Sequence, residues 1–195
     1  ASLMKSALRN LPNRNNVNTY GYKRGMSPEH VVSLIRELIL FCCTWGHQML
    51  LGSQDVLTAF DSVHHGDIDQ ALRSRGVSSQ HIFAIAREYF DVGVSLKLSH
   101  VFETDSLSYS KGLVQGSVEA DRIFNILIEE AMESIALLWH SLDFGFVFDQ
   151  GGDNPVRITH VWWADNLYVF AKNEIEMELM QHHLADLLIC KYKWA

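Results

Sequence analysis

Two aspartates and one glutamine stand where their types could do chemistry. Asp55 lies in Gln54-Asp55-Val56-Leu57-Thr58-Ala59-Phe60-Asp61-Ser62-Val63-His64-His65, at the end of an apolar strand pattern. Asp165 lies in Trp163-Ala164-Asp165-Asn166, at the tip of an apolar hairpin pattern. Gln115 lies in Gly112-Leu113-Val114-Gln115-Gly116, a glycine-flanked turn ahead of a helix. A strand end and a hairpin tip can meet across neighbouring strands. Two carboxylates joined in that way offer the hard oxygen donors that magnesium takes beside its waters and substrate phosphates. Two such ions can clamp the attacking and leaving oxygens of a phosphoryl transfer. Asp55 alone is an ordinary strand-end acid; Asp165 and the glutamine–glycine turn give it meaning.

Periodicity supplies the elements that must position these groups. Ser27-Pro28-Glu29 opens a helix whose apolar face carries Val31, Leu34, Ile35, Leu38, Ile39 and Cys42. Gln48 to Val56 predicts a strand. Asp67 to Arg75 predicts a short helix stopped by Gly76, and Ser79 caps another. Val94, Leu96 and Leu98 alternate as a strand, and a long helix runs over about 118–138. Phe144, Phe146 and Phe148 alternate again, and Gly151 to Pro155 is a turn. Val156 to Trp163 and Leu167 to Ala171 predict two strands around a tight turn at Asp165-Asn166, before a final helix from Glu174 to Ile189. The class is α+β, an antiparallel sheet with helices on one face. Residues 1–19, polar and mixed, predict a poorly structured segment ahead of a domain over 20–195.

The chain has 195 residues, 48% of them hydrophobic and 20% charged, which excludes a disordered tail. Sixteen basic against twenty-three acidic residues give a formal charge of −7, so a broad basic surface is excluded. Three cysteines are too few for a disulfide framework and point to a reduced, intracellular compartment, nucleus or cytoplasm. The apolar run from Val31 to Leu51 contains Arg36, Glu37 and His47 and predicts no membrane span. The pairs His64-His65 and His182-His183 lack the Cys/His spacing of a zinc site.

The ordered motifs resemble the reverse transcriptase of non-LTR (LINE-type) retrotransposons, in a degenerate or fragmentary copy. Tyr20-Gly21-Tyr22-Lys23-Arg24-Gly25-Met26-Ser27-Pro28-Glu29-His30 resembles its segment before the fingers–palm helix. Asp55 to Val63 resembles D-x-x-x-A-F-D-x-V, and His65 matches the histidine that often follows. Gly112 to Gly116 resembles G-x-x-Q-G, Phe124-Asn125 its F-N, and Trp163 to Asn166 its Y/F-A-D-D.

The resemblance implies a right-hand polymerase palm with partial fingers and no thumb. It implies RNA-directed DNA synthesis by two-metal transfer of deoxynucleotides onto a primer 3′-hydroxyl, on an RNA template with a DNA primer and without a membrane. Asp55, Asp165 and Asn166 would be catalytic. Asp55, Asp165 and the Val56 carbonyl would hold Mg2+, or Mn2+. Phe60 would exclude a 2′-hydroxyl, Gln115 and Gly116 would contact template base and nucleotide, and Lys23 and Arg24 would meet template or triphosphate.

Three departures stand out. Asn166 replaces the second acid, as in the G-D-N of negative-strand RNA virus polymerases. Ser117 and Val118 replace a proline and serine, with Glu119 beside them. The basic R-P-I strand is not visible upstream. The alternative is a catalytically inactive reverse-transcriptase-derived domain that only binds nucleic acid or a protein partner. An RNA-templated RNA polymerase is a further rival, against which Phe60 argues.

Overall fold

The structure of the chain is a computed structural model that describes residue 8 and residues 18–23, 25–56, 59–89, 93–94, 107–108, 110–113, 118–149 and 155–192. Ser27 leads into α1 (Pro28–Trp45) with an extended backbone, and its N–H donates to His30 Nδ1 at 3.0 Å. Histidine here takes the part that glutamate plays in a capping box. Val31, Leu38 and Phe41 are its buried face.

Strand β1 (Leu50–Asp55) follows, then the one-turn α2 (Ala59–Ser62), α3 (His65–Ser74) and α4 (Ser79–Tyr89). Ser79 is already inside α4. The Ser78 carbonyl accepts from His81 and Ile82, so the cap falls one residue earlier than the sequence suggests. Short strands β2 (Gly93–Val94) and β3 (Leu107–Ser108) pair antiparallel. The rest of the strand predicted over Leu96 and Leu98 lies outside the described residues. Helix α5 (Val118–Ser141) is 24 residues long, which spans about 36 Å. Then come β4 (Phe146–Phe148), β5 (Val156–Ile158), β6 (His160–Trp163), β7 (Asn166–Ala171) and α6 (Glu174–Ala185), with π-helical turns over Asp186–Lys191.

The chain divides into two compact units. One comprises Ala1–Pro12 and Phe60–Leu127, the other Asn13–Ala59 and Ile128–Ala195. The first buries Val63, Ile68, Leu72, Ile85 and Phe124.

The second unit is built on a three-stranded antiparallel sheet in the order β1-β7-β6. Leu50 lies opposite Ala171 at one end and Asp55 opposite Asn166 at the other. Alternation puts Val161 and Phe170 on one face of the pleat, where they join Val31, Leu38 and Phe41 of α1 with Phe146 and Ile158 in one core. Gly52 is on the opposite face, against Met177 of α6. Helices therefore cover both faces of this sheet rather than one.

The strand predicted over Val156 to Trp163 is two strands. β5 pairs with β4, while β6 pairs with β7. Thr159 makes the break: it is buried, and its carbonyl accepts from Phe170 N–H at 2.9 Å. One apolar run thus serves two sheets. The tight turn also sits one residue earlier than predicted. Ala164 takes a φ of 54°, and Asn166 is the first residue of β7 rather than part of the turn.

Inside this unit His160 is fully buried. Its Nε2 accepts from Asn18 N–H at 3.3 Å, so Nδ1 carries the proton and donates to Thr159 Oγ1 at 2.8 Å. Burial first, and His140 second, hold its pKa down at about 3.

Two outcomes follow for stability. Phe170→Ala should cost roughly 3–5 kcal/mol in urea denaturation, because it opens a cavity at the centre of the core. The depressed His160 pKa means that the unfolded chain binds a proton below about 6.5 that the native chain refuses down to about 3. Stability should therefore be full above about pH 6.5 and fall as pH drops toward 3, by an amount of order 4 kcal/mol. Urea melts at several pH values should show a shallower slope for His160→Gln.

Candidate functional site

Asp55 ends β1 and Asp165 precedes β7, so both acids lie at one end of the same sheet. The pairing continues past the strands: Val56 N–H donates to the Asp165 carbonyl at 3.1 Å. Cross-strand partners have Cα atoms roughly 4.5–5.5 Å apart and consecutive residues 3.8 Å, so the Cα atoms of Asp55 and Asp165 are within roughly 9 Å. Asp55, Asn166 and Trp163 share one side of the pleat. Asp55 is exposed, and Asp165 and Asn166 are half-buried.

Asn166 does more than stand in for an acid. Its Nδ2 donates to Asp165 Oδ1 at 3.0 Å. A carboxylate only accepts, so the amide must turn its NH2 toward it. The bond steadies the Asp165 anion and at the same time occupies one of its oxygens. What remains is two carboxylates, an amide and the nearby Val56 backbone, all oxygen donors of the kind a hard divalent cation takes. Among the described residues no group of three His, Cys, Asp or Glu could hold a metal. Two carboxylates with amide and carbonyl oxygens are the donor types that magnesium takes beside water and phosphate. Behind Asp55, a cavity of about 330 Å³ runs between Gln54, Val56 and Leu167 and the end of α6 at Leu184.

A short extended segment braces the hairpin. Tyr20 N–H donates to the Trp162 carbonyl and Trp162 N–H to the Asn18 carbonyl, each at 2.8 Å. Thr19 Oγ1 donates to Glu129 Oε1 at 2.9 Å, and Lys23 Nζ pairs with the same oxygen at 2.9 Å. Glu129 is wholly buried and the Lys23 side chain is 15% exposed. Lys23, read from sequence as a template or triphosphate contact, pairs here with a buried carboxylate. Sequence reasoning passed over Glu129, although an acid inside Ile126-Leu127-Ile128 and Ala131-Met132 signals a buried ion pair.

In the first unit, Phe60 stacks on Phe124 with centroids 4.7 Å apart and planes at 23°. The end of the first motif and His65 behind it are stitched to the entry of the glycine turn. Gly112 N–H donates to the Val63 carbonyl at 2.7 Å, Leu113 N–H to the Phe60 carbonyl at 2.9 Å, and His65 Nε2 lies 3.0 Å from the Gly112 carbonyl. That acceptor requires the proton on Nε2. Burial lowers the His65 pKa, the Gly112 carbonyl partly opposes it, and His64 adds a smaller lowering. Gly112 has a φ of 100°, which a side chain would strain. Asp61 sits inside α2 and is exposed, while His64 is the residue that precedes α3. Gln115, Gly116 and Arg24 lie outside the described residues.

Comparison with known proteins gives the family. No curated protein matches the chain. Solved structures that share its fold include three of telomerase. Apo telomerase from Candida tropicalis truncated from its C-terminal domain aligns with a TM-score of 0.65 at 12% identity, over 98% of this chain and 37% of that one. Apo telomerase from Candida tropicalis gives 0.69 at 10% identity, over 99% and 34%. Telomerase from Candida albicans, in complex with a TWJ fragment of telomeric RNA, gives 0.67 at 12% identity, over 97% and 32%. The chain spans about a third of the length of each. The fold class expected from the motifs, an α+β palm-like domain of antiparallel sheets and helices, is the one observed. The family model described as reverse transcriptase (RNA-dependent DNA polymerase) matches residues 1–194, and the chain belongs to that family.

Proposed function

We propose that this chain is the fingers–palm part of an RNA-directed DNA polymerase and that its site serves two-metal transfer of deoxynucleotides onto a primer 3′-hydroxyl. The observation that supports the reading most is the shared sheet end of Asp55 and Asp165, with Val56 hydrogen-bonded to Asp165. Asp55, Asp165 and the Val56 carbonyl would hold Mg2+ or Mn2+, which when bound supplies charge neutralisation at the reacting phosphate. The carboxylates' part is to hold that charge at a fixed place; Phe60, Gln115 and Gly116 serve the nucleotide and the template base. The partners are an RNA template, a DNA primer and deoxynucleotides, and the setting is intracellular. The motif order supports a LINE-type origin, and 20–195 forms the working part.

One observation favours a second reading. The Asn166 amide holds an oxygen of Asp165 that a cation would otherwise take. On that reading the domain is catalytically inactive and only binds nucleic acid or a protein partner.

Primer extension on an RNA template with deoxynucleotides, in magnesium and then manganese, separates the two. A working site predicts that Asp55→Ala lowers extension by on the order of 10²–10³ or more. Asn166→Asp should raise it by about tenfold, because a carboxylate replaces an amide whose NH2 cannot bind metal. Silence in the unaltered chain, with extension in Asn166→Asp, would establish the inactive reading. Silence in both would sink the polymerase reading for this chain.

Sugar choice gives an independent check. Phe60→Val should raise ribonucleotide incorporation relative to deoxynucleotide by about tenfold or more, since the ring that fills the 2′ position is gone. An unchanged ratio would remove Phe60 from the nucleotide site.

A further inference from the structure

We propose that residues 18–23 clamp the tip of the β6–β7 hairpin and that Gly21 is a positioning residue for Asp165. The positioning role rests on the reading that Asp165 holds a metal ion; the clamp itself does not.

Space at Gly21 carries the argument. A Cβ built there would overlap the Ala164 backbone nitrogen, and it would stand 3.2 Å from Ala164 Cα and 3.4 Å from the Trp163 carbonyl carbon. The atoms in the way are backbone of the turn that delivers Asp165, so no side-chain rotation can clear them. The φ at Gly21 is not left-handed; what the position demands is the absence of a side chain. The turn has little room to retreat. Ala164 already sits at a φ of 54°, and its carbonyl accepts from Trp162 Nε1 at 2.6 Å. On the other side, Val56 N–H holds the Asp165 carbonyl.

The segment cannot easily move away either. Asn18 and Tyr20 are hydrogen-bonded to both backbone groups of Trp162. Thr19 and Lys23, one on each side of Gly21, are both tied to the buried Glu129. A carboxylate with no exposed surface loses heavily if its cation leaves, so the anchor is strong. Gly21 is thus pressed on the turn by bonds at both ends. A methyl group must push the turn out, and Asp165 moves with it.

The test uses the whole chain and two readouts. Amide resonances report the hairpin tip, and manganese binding, followed by loss of the free-ion EPR signal, reports the carboxylates. Gly66→Ala is the control, since a Cβ there meets nothing within 4 Å. Gly21→Ala should shift the amides of Asp165 and Asn166, leave those of Leu50 and Ala171 in place, and weaken manganese binding by about tenfold. Gly66→Ala should change neither.

Unmoved tip amides in a folded Gly21→Ala chain would overturn the clamp. A shifted tip with unchanged manganese affinity would overturn the positioning role. An unaltered chain whose manganese binding is absent, or is insensitive to Asp55→Asn, would sink the metal reading and the positioning role with it. That failure is distinct, because it shows before any change at Gly21. If Gly21→Ala does not fold, Thr19→Val is measured in its place, since it keeps the volume and drops the hydroxyl bond to Glu129. It should speed hydrogen exchange at the Tyr20 amide and weaken manganese binding by about threefold. No change in either would overturn the proposal.

Discussion

The antiparallel pairing of β1 with β7 is the constraint on which the second unit depends. Side chains alternate along a strand, so a slip of one residue would turn every group to the other face. In the observed register Phe170 reaches the core under α1, Gly52 meets α6, and Asp55 faces Asn166 at the sheet's end. The core and the acidic pair are therefore fixed by one ladder of hydrogen bonds. Both faces of β7 are apolar, with Val169 on one and Phe170 on the other, and both residues are fully buried. A site built at the end of such a ladder inherits its register.

Around this sheet the chain buries polar groups that would be costly if left alone. Glu129 takes Thr19 and Lys23, His160 joins Asn18 to Thr159, and Glu176 accepts from Gly145 N–H at 2.5 Å. Each ties a loop or extended segment to the sheet or to a helix. Apolar contacts hold strongly but do not fix direction, whereas a buried acceptor is satisfied in few geometries. The loops that approach the hairpin are held by such bonds, which accounts for a braced tip on a turn of two residues.

Asn166 shows how one atom exchange alters the character of a site. An aspartate there would set two anions side by side at the tip and leave each in need of a cation. The amide instead donates to Asp165 and relieves that repulsion internally. The arrangement therefore carries one negative charge fewer at the tip and one carboxylate oxygen already hydrogen-bonded. Net acidity of the chain adds to this, since −7 formal charges do not draw in a phosphate backbone by themselves.

Much of this was legible in the residues. The serine before α1 and the proline that opens it, the alternation at Phe146 and Phe148, and the long apolar helix α5 are local patterns, and local physics set them. The motif order likewise gave the family, because residue types at fixed spacing survive without knowledge of contacts. The misplacements came where tertiary bonds overrode local pattern. Thr159 reads as mid-strand, yet its carbonyl is claimed by Phe170, and the strand breaks there. Asn166 reads as a turn residue, yet pairing with Asp55 and Trp163 draws it into β7. The pairing of Lys23 with Glu129 was simply not visible, because the buried acid comes within reach only after the chain has folded. Sequence determined which elements form and which groups could act. The tertiary structure alone decided which of those groups meet, because register, burial and close backbone approach depend on partners far away along the chain.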